Sequence, residues 1–231
     1  MPNLDIYIDG PSKDEMNDLF DQNISGFTFN PTLFKSLGVS DYLGHSQKIQ
    51  KLSNGLPISL EVIGDNYEDM IVQGRKLASL GDNVFVKIPI TFTSGDSTLD
   101  VIRTLSMEGI NLNITAIFTF AQIKEILPTI KNTNTIISVF AGRLYDIGLD
   151  AKVMMQEMSS YIHENSQCNL LWASPRMHYD AITAEICNCD IITMTNSMYN
   201  KMSLLGKAPE KYSIETVKMF FNDAQASGYK L

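Results

Sequence analysis

At 231 residues the chain is long enough for one α/β barrel, and 44% hydrophobic with 19% charged residues describes a globular protein with a large core. A net charge of −8 without any basic cluster argues against nucleic acid, and no apolar run reaches bilayer length. With no basic-then-apolar leader at the N-terminus, the expected location is the cytoplasm, and Cys168, Cys187 and Cys189 are expected to be reduced structural thiols.

In chain order, Leu4 to Gly10 alternates apolar and polar and ends in a turn signal, which predicts a first strand. Residues 12–22 carry Met16, Leu19 and Phe20 at helical spacing. Gly26 to Pro31 is a second strand, and Pro31-Thr32 opens a helix expected to run to about residue 52. Residues 58–63 form a third strand before a helix near 66–80, where Asp65 followed by Glu68 reads as the capping start. Residues 84–90 form the fourth strand, and its helix near 97–108 ends at Gly109.

The alternation continues with strands at 112–118, 135–140, 169–174 and 190–195. Helices near 120–131, 149–165, 178–187 and 197–204 follow them, and a last amphipathic helix spans Ser213 to about Ala226. Eight strand-helix units imply parallel strands and a single closed (β/α)₈ TIM barrel over residues 1–231, with an extra C-terminal helix. An open doubly wound sheet is the alternative, but no glycine-rich phosphate turn accompanies any strand.

The stretch Val84-Phe85-Val86-Lys87-Ile88-Pro89-Ile90 reads as a strand buried on both faces, with a lysine in its middle. An ammonium taken out of water is costly, so a buried lysine finds a partner or moves toward the neutral amine. That amine is a nucleophile whose characteristic reaction is Schiff-base formation with a carbonyl. A side chain snorkelling to solvent is the other reading. Seven strands in all carry a polar group in or just after their C-terminal half: Asp9, Asn30, Glu61, Lys87, Asn113 with Thr115, Ser138, and Ser174 with Arg176. In a barrel these would converge on one mouth. For Asp9 a helix N-cap is the competing reading, and for Asn30, Asn113 and Ser138 it is a buried polar group satisfied by backbone.

Several segments resemble the signature stretches of the transaldolase family, in order and at comparable spacing. They are Asp9 in Tyr-Ile-Asp, Gly26-Phe27-Thr28-Phe29-Asn30-Pro31-Thr32, Val86-Lys87-Ile88-Pro89, Asn113-Ile114-Thr115 and Ser138-Val139-Phe140-Ala141-Gly142-Arg143. The resemblance covers essentially the whole chain, and the length matches the short branch that includes fructose-6-phosphate aldolase. Thr28-Phe29-Asn30 stands where Thr-Thr-Asn is commoner, and Trp172 and Pro175 depart from the family pattern beside the phosphate end of the pocket.

The resemblance implies that Lys87 forms a Schiff base with a ketose phosphate, with Asp9 as acid/base and Glu61 and Thr115 holding a water. Asn30, Asn113, Ser138, Phe140 and Ser174 would bind substrate. Arg143 and Arg176, two of only four arginines, fall just beyond strands six and seven and would take the phosphate. It further implies a transaldolase of the pentose phosphate pathway acting on sugar phosphates without cofactor or metal. The fructose-6-phosphate aldolases carry glutamine at the place of Glu61 and tyrosine at that of Phe140, so transfer is expected over simple cleavage. A non-catalytic sugar-phosphate-binding barrel is the rival reading. The terminal helix, with Val217, Phe220, Phe221 and Ala224 on one face, must cover either the barrel's own side or a neighbouring subunit. Subunit contacts through residues 212–231, in a ring-based pentamer or decamer, are what the short branch implies. His45, His163 and His178 share no metal spacing and are expected at the surface.

Overall fold

The computed structural model describes residues 2–19 and 22–230, so Phe20 of the first helix pattern lies outside the described residues. Eight strands, β1 (Asp5–Asp9), β2 (Gly26–Thr28), β3 (Ile58–Glu61), β4 (Val84–Pro89), β5 (Leu112–Ile117), β6 (Thr135–Val139), β7 (Asn169–Trp172) and β8 (Ile191–Met194), close into one parallel barrel in sequence order. The pairing of β1 with β8 through Ile6 and Ile192 removes the open-sheet alternative. The fold is a TIM barrel, as the alternation predicts.

The described residues form eleven α-helices, ten of them around the barrel: α1 (Lys13–Leu19), α2 (Pro31–Ser36), α3 (Tyr42–Leu52), α4 (Tyr67–Ala78), α5 (Leu99–Met107), α6 (Phe120–Ile130), α7 (Ala141–Asp146), α8 (Ala151–Asn165), α9 (Asp180–Ile186) and α10 (Asn196–Lys201), followed by α11 (Pro209–Ser227). The single helix expected from Pro31 to residue 52 is two. Gly38, at φ +70°, turns the chain out of α2, and Asp41 accepts a hydrogen bond from the Gly44 N–H to cap α3. The short α7 was not foreseen. Asn66, rather than Asp65, caps α4 through the Asp69 N–H, while Asp65 accepts from the backbone and hydroxyl of Thr93 and so ties down the 91–96 loop.

Period-2 alternation sorts every strand into two layers. Ile6, Ile8, Val86, Ile88, Leu170, Trp172 and Ile192 face outward to the helices. Tyr7, Phe85, Ile136, Leu171, Ala173 and Ile191 face inward and fill the lower lumen. Trp172 is therefore buried in the helix layer and shapes no part of the barrel mouth, contrary to what its position in the family pattern implies. Met155, Met158, Met194 and Met202 are buried between barrel and helices. The three cysteines are free and buried, as expected. The histidines are half-buried rather than superficial: His45 packs edge-on against Phe34, and His163 Nε2 lies 2.8 Å from Asp190.

The terminal helix differs from the rest. It begins at Pro209, four residues before the expected start, and ends where Gly228 turns left-handed at φ +65°. No residue of it is buried, and Val217, Phe220 and Phe221 are each more than 60% exposed. The barrel's own side is not what covers its apolar stripe. No helix among the described residues is long and apolar enough to cross a membrane.

Candidate active site

Above the apolar plug the inward positions change character. Asp9 pairs in register with Thr28 and Glu61 with Lys87, and with Thr115 of β5 these inward side chains face one space. They line a cavity of about 450 Å³ at the C-terminal mouth of the barrel.

Lys87 is 5% exposed, which rules out a snorkelling side chain. Its apolar sequence neighbours point away into the helix layer, and in the lumen it meets carboxylates instead. Nζ lies 3.2 Å from Glu61 Oε2, an ion pair whose two side chains are both largely removed from solvent. Such a pair keeps the lysine solvated by protein in place of water. The Tyr42 hydroxyl donates to the Glu61 carbonyl at 2.6 Å and anchors the end of β3.

Asp9 sits in the cavity wall. Burial pushes its carboxyl above the ordinary carboxylate value, while the nearby Lys87 charge and a hydrogen bond from Thr28 pull it back part of the way. Thr28 Oγ1 donates to Asp9 Oδ1 at 2.6 Å and is itself 2.5 Å from Thr193 Oγ1. Asp9 caps no helix here; Ser12 and Glu15 form that cap for α1. Thr115 Oγ1 is buried, belongs to the cavity lining and has no hydrogen-bond partner among the described residues.

The remaining sequence candidates divide. Asn30, Ser138, Phe140, Arg143 and Ser174 line the cavity. Asn30 Oδ1 accepts from the Leu33 N–H as the cap of α2, which leaves its amide nitrogen for a ligand. Asn113, the register partner of Lys87, is fully buried and outside the cavity lining, donating to Ser59 Oγ at 3.0 Å and accepting from Ser138 Oγ at 2.7 Å. It braces the floor rather than the wall. Arg143 stacks over Phe140 with its guanidinium carbon 5.3 Å from the ring centre. Arg176 stands outside the wall. Its guanidinium forks onto Asp146 through Nε at 2.9 Å and through Nη2, with Nη1 reaching Ser174 Oγ at 3.2 Å.

Two backbone features shape the rim. Ala116 and Ser174 are held at φ +58°, conformations that side chains adopt at a cost and that cluster at functional sites. Gly142, at the start of α7, packs so closely on Ser174 that a Cβ would lie 1.7 Å from the Ser174 carbonyl oxygen, with the buried Pro175 beside it. Only glycine fits there. Thr28 and Thr193 are the site residues missed from sequence, although both are polar at inward positions of otherwise apolar strands.

The model of a family described as Transaldolase/Fructose-6-phosphate aldolase matches residues 6–231. A protein of Thermoplasma volcanium named "Probable transaldolase" is 33% identical over 211 residues, 90% of each chain. A protein of Thermoplasma acidophilum with the same name is 34% identical over 212 residues, again 90% of each. Among solved structures, N-acetylneuraminate lyase from Mycoplasma synoviae is similar at a TM-score of 0.54 and 13% identity, over 93% of this chain and 73% of its own. A 2,3-dimethylmalate lyase is similar at 0.54 and 11%, over 99% and 85%. At such identities those two show the barrel fold alone. With a family match over nearly its entire length and relatives at a third identity, the chain belongs to the transaldolase/fructose-6-phosphate aldolase family.

Proposed function

We propose that the protein is a transaldolase, moving a dihydroxyacetone unit from a ketose phosphate such as fructose 6-phosphate or sedoheptulose 7-phosphate to an aldose phosphate in the pentose phosphate pathway. The observation that carries this reading is Lys87, buried at the floor of the mouth beside Glu61 and within the field of Asp9. Deprotonated Lys87 attacks the C2 carbonyl, and water leaves as the iminium forms. The C3–C4 bond then breaks, its electron pair flowing into the iminium to give an enamine while Asp9 takes the C4 hydroxyl proton and the aldehyde departs. An acceptor aldehyde reverses these steps. In this reading Glu61 and the Thr115 hydroxyl, which has no partner among the described residues, hold the water that is released and later consumed.

Phe140 supports transfer over cleavage. It lines the cavity without a hydroxyl with which to protonate the enamine, so the intermediate should persist until an acceptor arrives. Borohydride with fructose 6-phosphate should leave a three-carbon adduct on Lys87, and transfer to erythrose 4-phosphate should far outrun acceptor-free release of dihydroxyacetone. No adduct would refute the Schiff base and leave a sugar-phosphate-binding barrel; equal rates would make the protein an aldolase. We further propose that the exposed face of α11 is an interface between copies in a ring-based oligomer in solution. A monomer by light scattering at micromolar concentration would refute that.

A further inference from the structure

The carboxylate assigned as acid/base is held from a distance. β1 lies between β2 and β8, and the registers Asp9 with Thr28 and Tyr7 with Thr193 bring a threonine inward on each side of it. Both threonines are at most 5% exposed, so their hydroxyls find partners in the protein or go without. Thr28 Oγ1 is 2.6 Å from Asp9 Oδ1 and 2.5 Å from Thr193 Oγ1. A hydroxyl has one proton, and an ionised carboxylate can only accept. Thr28 must therefore spend its proton on Asp9, which makes Thr193 the donor to Thr28. The chain runs in one direction, Thr193 to Thr28 to Asp9, and each link polarises the next.

We propose that Thr193 is a positioning residue for proton transfer: its hydroxyl orients that of Thr28, which in turn aims the Asp9 carboxylate and favours it as the ionised base. The inference rests on the catalytic role proposed for Asp9. When Asp9 takes the proton of the C4 hydroxyl, the chain need only rotate its hydroxyls to follow, with no heavy atom displaced. Other ionisable groups near Asp9 are few. Lys87 on β4 faces it with Glu61 of β3 behind, Tyr7 lies one layer below on β1 itself, and Arg143 lines the far side of the cavity. Glu15 of α1 is engaged by Asn196 of α10 and by Ser12. β2 and β8 contribute only the two threonine hydroxyls at this level.

The test is the pH profile of kcat/KM for transfer from fructose 6-phosphate to erythrose 4-phosphate in the parent, Thr193→Val and Thr193→Ser. Valine keeps the shape and removes the donor. Its acid limb should move up by about half to one pH unit with kcat about tenfold lower, while KM and borohydride trapping of dihydroxyacetone on Lys87 stay within about twofold. Serine should restore both limb and rate. In an Asp9→Asn background the valine change should cost nothing further. An acid limb that superimposes on the parent's, equal losses in serine and valine, or an undiminished loss without Asp9 would each overturn the proposal. Should the valine variant not fold, Thr193→Ala against Thr193→Ser reads the same contrast. A parent that neither traps nor transfers refutes the proposed function itself, and this role with it; an active parent with an unaltered valine profile refutes the role alone.

Discussion

The two halves of the barrel lumen share strands and alternation but not chemistry. Below, Tyr7, Phe85, Ile136, Leu171 and Ile191 close the tube with apolar volume. One level up on the same strands stand Asp9, Lys87, Ser138 and Thr193. The lower set gains free energy by leaving water, about 1.5–3 kcal/mol for each large side chain. The upper set loses hydration and is held by mutual hydrogen bonds and one ion pair. Stability and chemistry are separated along the strand axis by a single inward step of two residues.

Single substitutions test that separation. Lys87→Met should abolish turnover, by about 10⁴-fold or more, and with it borohydride trapping. Asp9→Asn should lower kcat by about 10²- to 10⁴-fold, read at the pH optimum. The same change should raise the melting temperature at neutral pH. The folded-state pKa of Asp9 is raised by burial, so the fold favours its protonated form. That contribution is fully present below the unfolded carboxylate value and is lost as pH rises through the folded one. Asparagine cannot ionise, so its stability advantage should shrink as the pH is lowered.

Ile136→Ala, in the plug, should do the opposite. It should cost about 2–5 kcal/mol of stability in denaturant titrations and leave kcat of the folded enzyme within a few-fold. A large kcat loss would show that the plug also positions the mouth. Smaller effects are expected at the arginines. Arg143→Ala should raise KM for phosphorylated donors about 10- to 100-fold and spare dihydroxyacetone, whereas Arg176→Ala, its guanidinium already committed to Asp146, should cost only several-fold. Equal effects would mean that the Asp146 pair opens when phosphate arrives.

The barrel was readable because every unit repeats one signal: an apolar run, a turn, then helical spacing. Lys87 stood out as a lone charge in such a run, and Asp9, Glu61 and Thr115 followed from their places at strand ends. Side-chain direction was harder. Trp172 lies between the inward Leu171 and Ala173, so strand parity alone sends it outward, whereas the family pattern puts its position beside the phosphate end of the pocket. In sequence Arg176 reads as a phosphate ligand, because its partner Asp146 lies 30 residues away in a helix too short to show periodicity. Thr28 and Thr193 look unremarkable in sequence, since threonine is a common strand residue. Their 2.5 Å contact joins positions 165 residues apart and exists only once β1 and β8 close the barrel.

The buried cysteines carry a consequence for following the protein's motions. Burial pushes the thiols of Cys168 and Cys187 up to about 11 and raises that of Cys189 as well, so almost no thiolate exists in the folded state at neutral pH. Cys168 precedes β7, and the other two lie between α9 and β8. An alkylating reagent should therefore leave the native protein unmodified and label all three sulfurs once these units open. Alkylation read by mass then becomes a clock for opening of the last third of the barrel. A label appearing on one cysteine ahead of the others would identify the unit that detaches first.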